Sequence, residues 1–584
     1  MKGIVYSDVT HGKVYSLLTS YEEGECILSR LVKILPYKEI DDRTRRVKEG
    51  IVLGRVVNYL RINEHMTNEP LLKIMYDRPE VRELIQRDDA KFHHIVLEIE
   101  TIGAFSYEGE RLTLRAPIIP GAMVDDFTEE DFYNIFKGNK DKFVYLGRFY
   151  GTNVPQPLIL KPLTNDAAHI LVVGQTGSGK STLVKMLMSL YAKQFRHMNF
   201  IVFDTVGEFT LAFTREDPLL KCNFSEVFVS YGRETPVVLR IGENLVFDRW
   251  EVLEFLMDEL RILRHTGIPQ NSVSNMRQGV EFIVNWLEKK RYALKDLYEK
   301  ADEIFRELFT EPTLEEFASA VYKEKTRKEE YKAKLFNQDG TPSYGLEIFK
   351  LKLKKIFSLF DTSNNRMTVN SMAYRLLEGG KTFIIDLSSD ISLSLDEISR
   401  QDINMQAMRK LMLKELVDAV RRVGNTIYNE GGSLDTMIIL EEAHNWAPRR
   451  ITDETENDYT SQLSNALVNA YKETRKFGIS WLAISTRLTS LRQEIFEHSR
   501  IKLIGMGLQS GNDYDILREE FGNNFMVTYS TFPDPTDPLI KTNRVCFMVA
   551  GPITVISTKP EAVEIFSPDE FLDRNDIKEN LLPF

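Results

Sequence analysis

The sequence is short of cysteine. Cys26, Cys222 and Cys546 are the only three in 584 residues, and they lie far apart. That excludes a disulfide framework and any close-spaced thiolate metal site, and predicts free, buried thiols in a reducing compartment. Long apolar runs are missing too. No uncharged stretch reaches the ~18 residues of a membrane helix; the nearest, residues 545–558, is interrupted by Gly551-Pro552. The start, Met1-Lys2-Gly3-Ile4, has no apolar signal region, so the expectation is a cytoplasmic protein with no membrane attachment. Positive charge is the third scarcity: 75 Lys and Arg against 86 Asp and Glu give a net charge of −11. Such a surface repels polyanions as a whole, so any nucleic-acid contact is expected to be local, through basic residues gathered in a channel. The 43% hydrophobic content is that of a globular chain, and the length suits three or four domains.

What is present begins with residues 170–182, ILVVGQTGSGKST. Four apolar residues run into G-x-x-x-x-G-K-[ST], the phosphate-binding loop. Its glycines let successive backbone amides point at one centre, and the following helix N-terminus completes a nest for phosphate oxygens. The predicted nucleotide-binding residues are Gly174, Gln175, Thr176, Gly177, Ser178, Gly179, Lys180, Ser181 and Thr182. Lys180 is expected on the β- and γ-phosphates of ATP, and the Ser181 hydroxyl on Mg²⁺. Leu183, Met186, Leu187 and Leu190 make the apolar stripe of the helix behind the loop.

A second apolar strand, residues 199–204, ends at Asp204, followed by TVGEF. An acid there sits where parallel α/β sheets place ligands. Residues 382–387 form a further strand ending near Asp386, and a long amphipathic helix follows over 405–422. Residues 437–440 (MIIL) then end in Glu441-Glu442-Ala443-His444. A strand ending in two acids is the second half of a nucleotide-hydrolysing site: by position Glu441 holds Mg²⁺ through water and Glu442 is the catalytic base. Glu441 departs from the Asp usual in its slot. Arg475 precedes Gly478, a helix C-cap; it reads either as an arginine finger toward a neighbour's nucleotide or as a favourable helix-terminal charge. Thr486, at the tip of the strand 479–485, is a candidate γ-phosphate sensor.

Around this core, residues 1–125 carry short alternating runs at 51–60, 94–102 and 111–116, which predict a small barrel or sandwich, with a charged helix near 79–91. Residues 126–168 read as a connector with a short strand at 158–160. Residues 169–244 and 366–560 are the two parts of the core, separated by a helical insertion, 245–365. In the insertion, 250–263 has helical spacing and Thr313-Leu314-Glu315-Glu316 reads as a capping box. Its basic stretches, 323–334 and 350–355, are solvated helix faces or face nucleic acid. Residues 544–549 and 553–556 are expected to pair as a final hairpin, and 561–584 form a tail that braces a neighbour or the core.

In this order, HILVVGQTGSGKST, the D-x-x-G-E-F of 204–209, FIIDLS, ILEEAHNWAP and ETRKFG resemble the HerA family of the HerA–FtsK branch of P-loop motors, over about residues 50–560. The resemblance implies an α/β fold: a RecA-like P-loop ATPase core with an N-terminal small β-barrel and a helical insertion. It implies a homo-hexameric ring around duplex DNA, driven by ATP with Mg²⁺. The partner would be a NurA-like nuclease or, in antiviral systems, a nuclease or sirtuin-like effector. It carries over onto Lys180, Ser181, Glu442, Arg475 and Asp204. One motif departs: the family strand tip commonly reads Ser-Gln-Arg-Pro, against Ser485-Thr486-Arg487-Leu488 here, and Thr486 is shorter than Gln. Two other readings stand beside the motor: a ring scaffold that assembles an effector and uses ATP for sensing or assembly, and a coupling ATPase of a secretion or conjugation machine.

Overall fold

Alternation between apolar and polar residues builds the N-terminal part. Its strands are β1 (Lys2–Val9), β2 (Lys13–Ser20), β3 (Leu31–Ile40), β4 (Val47–Asn63), β5 (His93–Ser106), β6 (Arg111–Leu112) and β7 (Met123–Asp126). They run in the order β2-β1-β7-β3-β4-β5-β6, and antiparallel pairing of β2 with β5 closes the sheet into a barrel. Val32, Ile34, Val52, Leu97 and Ile99 fill it. The computed structural model describes residues 1–9, 12–20, 27–41, 45–63, 93–136, 142–163, 167–215, 223–269, 272–388, 405–450, 457–537, 544–556 and 559–577. The predicted helix near 79–91 lies outside them.

A second apolar cluster joins barrel to core. Leu53 and Phe105 pack with Phe132 and Phe136 of α1 (Glu129–Phe136), and with Phe149 and Ile556. Beside it Arg55 is buried; burial lowers its pKa, and the charges of Glu561 and Glu100 oppose that shift.

The core strands are β8 (Val144–Phe149), β9 (Pro155–Leu158), β10 (His169–Val173), β11 (Asn199–Asp204), β12 (Val237–Leu239), β13 (Leu245–Val246), β14 (Met367–Thr368), β15 (Thr382–Asp386), β16 (Thr436–Leu440), β17 (Ile479–Ser485), β18 (Ser499–Gly505), β19 (Cys546–Ala550) and β20 (Glu561–Ile565). Eleven of them form one sheet, in the order β12-β15-β11-β16-β17-β10-β18-β19-β20-β8-β9. β12 through β18 are parallel, and β18 onward pair antiparallel. The parallel strands are buried on both faces, which is why they read as continuous apolar runs.

Helices α2 (Lys180–Gln194), α3 (Glu208–Thr214) and α4 (Phe224–Ser230) cover one face, over Ile170, Val172, Phe200 and Val202. The other face, with Leu171, Val173, Ile201 and Phe203, carries the insertion helices α5 (Trp250–Glu259), α6 (Val273–Lys289), α7 (Ala301–Leu308), α8 (Glu311–Val321), α9 (Lys325–Leu335) and α10 (Tyr344–Ser358). It also carries α11 (Val369–Arg375), α12 (Met405–Asn429), α13 (Asn457–Glu473), α14 (Gln493–His498), α15 (Gly511–Phe521) and α16 (Asn523–Tyr529). The insertion is pinched at its base, where β13 pairs with β14.

Several local expectations are corrected. Residues 144–158 are sheet strands rather than a connector, and β20 and α17 (Pro568–Arg574) extend the core into the predicted tail. β19 pairs with β20, not with 553–556, which is taken up by the end of β9: Leu158 bridges Thr554, and the Ile159 amide donates to the Ile553 carbonyl at 3.0 Å. α5 ends at Glu259, just before Arg261 adopts φ 43. α8 starts at Glu311 with Thr310 as N-cap, so Thr313 lies inside the helix and caps nothing; Pro312 is tolerated in the first turn.

Candidate active site

The site grows from β10. Its first residue, His169, is buried, accepts from the Trp481 amide at Nδ1 (3.1 Å) and lies 2.7 Å from the Tyr471 carbonyl at Nε2. Burial pulls its pKa down to about 4, so a neutral ring ties β10 to β17. At the other end of β10 the phosphate loop is held by both neighbours. The Gly174 amide donates to the Ser485 carbonyl (3.3 Å) and the Gln175 amide to the Met506 carbonyl (2.8 Å). Gly177 and Gly179 turn with φ 83 and 82, conformations that favour glycine.

α2 then starts at Lys180 with Gly179 as N-cap and no side-chain cap. The first-turn amides of a helix have no intrahelical partner, so this end suits an anion. Lys180 donates to the Gln175 carbonyl at 3.0 Å and is 8% exposed. Burial lowers its pKa, and the charges of Glu442, Glu208 and Glu441 oppose the shift. Ser178 has a buried hydroxyl without a hydrogen-bond partner. Ser181 and Thr182 are partly exposed at the first turn. An uncapped helix end, a buried lysine and an unpartnered hydroxyl fit a nucleotide with its divalent cation.

The two acids after β16 do different things. Glu441 is 3% exposed and turns inward. Its Oε2 accepts from the Thr205 amide (2.7 Å), the Thr205 hydroxyl (3.0 Å) and the Val206 amide (3.1 Å). Burial first, and the neighbouring Asp204 second, push its pKa up to about 8. Asp204 is itself buried and accepts from the amides of Gly207 (2.8 Å) and Thr210 (2.6 Å), capping α3. Together these carboxyls fix the turn 205–208 that presents Glu208.

Glu442 points elsewhere. It takes a left-handed backbone, φ 47 and ψ 50, a strained choice for a glutamate. Its Oε2 is buried without a hydrogen-bond partner and lies 3.3 Å from His444 Nδ1, also unpartnered. The turn behind is pinned: Trp446 donates from Nε1 to the Glu441 carbonyl (2.9 Å), and Asn445 N–H to the Glu442 carbonyl (2.8 Å). The rest of the HNWAP motif therefore aims Glu442.

Thr486 follows Ser485, whose carbonyl binds Gly174, so it stands beside the loop. Arg475 does not. β10 and β17 are parallel with Val173 opposite Ser485, so the loop lies at their C-terminal ends. Arg475, before the N-terminal end of β17, is exposed roughly 20 Å away at about 3.3 Å per strand residue.

Sequence reasoning missed three relationships between residues. Asp386 lies beside Asp204 in register and accepts from Arg240 Nε at 2.8 Å. Glu208 adds to the negative charge that acts on Lys180. Thr536 and Val545 lie over the loop: a Cβ on Gly177 would meet Thr536 at 2.6 Å, and one on Gly179 would meet Val545 at 2.7 Å. Only a fold can reveal that last contact, because more than 350 residues separate its partners.

Residues 144–410 match the family model described as helicase HerA, central domain. None of the curated proteins compared matches the chain. Among solved structures, it is similar to the genome packaging NTPase B204 from Sulfolobus turreted icosahedral virus 2 at 8% identity, covering 68% of this chain and 98% of that one, with a TM-score of 0.27. It is similar to VirB4 of Thermoanaerobacter pseudethanolicus at 12% identity, 74% and 97% coverage and a TM-score of 0.35. EssC ATPases 2 and 3 from Geobacillus thermodenitrificans follow at 9% identity, 75% and 48% coverage and a TM-score of 0.27. These values are too low to transfer any property. Among the described residues no helix is long and apolar enough to cross a membrane.

Proposed function

We propose that this P-loop ATPase, whose residues 144–410 are a HerA-type central domain, works as a homo-hexameric ring that moves on duplex DNA for a partner nuclease or effector. The observation that carries the reading is the split of the site between the two ends of the sheet. Lys180 and Glu442 both follow the C-terminal ends of parallel strands, while Arg475 precedes the N-terminal end of β17, so any part it plays in hydrolysis would be at a neighbouring copy's nucleotide. A nucleotide site completed by a neighbour is the premise of a rotary or sequential motor.

Within the site Lys180 holds the β- and γ-phosphate oxygens, and the uncapped start of α2 supplies backbone donors. Glu442 takes the proton of the attacking water, its carboxylate being the one with an oxygen left unpartnered. Ser181 is the group that would hold Mg²⁺, since Glu441 is engaged by the 205–206 turn; the ion, when bound, neutralises charge on the phosphate oxygens. Thr486 senses the γ-phosphate across a longer gap than Gln would.

DNA contact follows from charge. At −11 overall, binding depends on basic residues gathered by ring formation, falls steeply with salt and shows little sequence preference. The test is the ATPase rate with and without linear duplex, at low and moderate salt, alone and with the product of the neighbouring gene. Stimulation by duplex supports the motor. Absence of binding and stimulation in every condition rejects it and leaves the ring scaffold, which the short Thr486 favours.

A further inference from the structure

Outside the nucleotide site, two apolar patches carry borders of opposite charge. The first is the outer side of α10. Its inner side, Leu346, Phe349, Leu353 and Ile356, is buried in the insertion. The outer side ought to be polar, yet Tyr344 is 77% exposed and Leu351 59% exposed, one above the other at i and i+7. Lysines 350, 352, 354 and 355 flank this stripe, against the single acid Glu347 in the helix. Asp302, at 3.2 Å from both Lys350 and Lys354, offsets part of that charge.

The second patch is a groove of about 380 Å³ between α14, α15 and the turn after β17. Leu491, Phe496 and Ile516 line it, and Glu497, Glu519 and Glu520 rim it, with Arg449 as the one basic residue. Lys502 pairs with Glu520 at 2.8 Å. One patch is apolar with a basic border and the other apolar with an acidic border, and the groove has room for a tyrosine or leucine side chain.

We infer that α10 of one copy seats its Tyr344–Leu351 stripe in the α14–α15 groove of the next, lysines over glutamates. This rests on the ring reading and names one of its contacts. In the chain the two patches belong to different layers of packing: α10 packs on α5 and α7, while α14 packs on α13. Two different surfaces of the same chain make a head-to-tail contact, the kind that closes into a ring. The insertion is then the arm by which each subunit grips its neighbour.

The test uses the full chain with ATP and Mg²⁺, and reads oligomer mass by light scattering and native mass spectrometry. Two double variants reverse the borders: K354E/K355E on α10, and E519K/E520K on the groove. Each alone sets like charges against each other at every contact, so the ring should dissociate at a concentration at least about ten-fold higher than wild type. Mixed in equal amounts, both kinds of contact pair opposite charges again, and rings should return with the two variants alternating. Leu351→Asp should break the ring and should not be rescued by mixing. Thermal melting and nucleotide binding check that each variant is folded; if a double variant is not, Leu351→Asp decides. Rings that survive K354E/K355E and Leu351→Asp overturn the contact but leave the ring, as does failure of the mixture to reassemble. A wild type that stays monomeric in all conditions overturns the ring reading, and this contact with it.

Discussion

The carboxylate of Glu441 lies 2.7 Å from the amide of Thr205, tying the acid strand β16 to the turn after β11. One acid of the tandem pair thus holds the turn 205–206, and the next, Glu442, keeps an oxygen without a hydrogen-bond partner. The protonation of Glu441 is accordingly a structural matter. Its pKa in the fold, raised to about 8, lies above the ordinary carboxylate value, so folding favours its neutral form. That stability is full below the ordinary carboxylate pKa and is lost as pH rises toward 8. Without nucleotide, the wild type should melt at progressively lower temperature from pH 5 to about 8.5, and Glu441→Gln should flatten this trend. Equal slopes in the two proteins would remove Glu441 from the account.

Lys180→Ala should abolish ATP turnover, because it removes the loop's own cation, the charge assigned to the β/γ oxygens. Glu442→Gln should still bind ATP and turn over at least ~100-fold more slowly, the usual worth of a positioned base. Steady-state ATPase with a separate nucleotide-binding measurement distinguishes the two. Near-normal hydrolysis by Glu442→Gln would move the base to Glu208, an exposed acid whose charge also acts on Lys180.

Gly179→Ala should weaken nucleotide binding at least ten-fold. The added Cβ has to take φ 82 and meets Val545 at 2.7 Å. Combining it with Val545→Ala should recover only part of the loss, since the left-handed backbone still costs roughly 1 kcal/mol. Full recovery would show that the contact alone matters; no recovery, that it does not.

Arg475→Ala should lose most of its ATPase activity while keeping nucleotide affinity. Mixing it with Lys180→Ala subunits should restore some activity, because a site with Lys180 from one copy and Arg475 from the next is then rebuilt. Mixtures no more active than the separate variants would confine Arg475 to its place at the end of α13.

Much of the core was legible in the sequence because it is local. GQTGSGKST contains its own turn glycines and its own uncapped helix start, and the parallel strands announce themselves as apolar runs. The HerA resemblance is carried by the same short motifs. Residues such as Glu441 and Glu442 were recognisable as a pair at a strand end, but not in their division of labour, which depends on where β11 ends beside them. Tertiary structure alone decided the rest. The loop's neighbours, Ser485 and Met506, arrive some 300 residues later. The cover over Gly177 and Gly179 comes from Thr536 and Val545, and β20 and β8 join a sheet that the sequence divided between a tail and a connector. These are pairings between distant segments. Their registry is set by hydrogen bonds and packing that close only when the chain folds, and no periodicity within either segment records which partner it will meet.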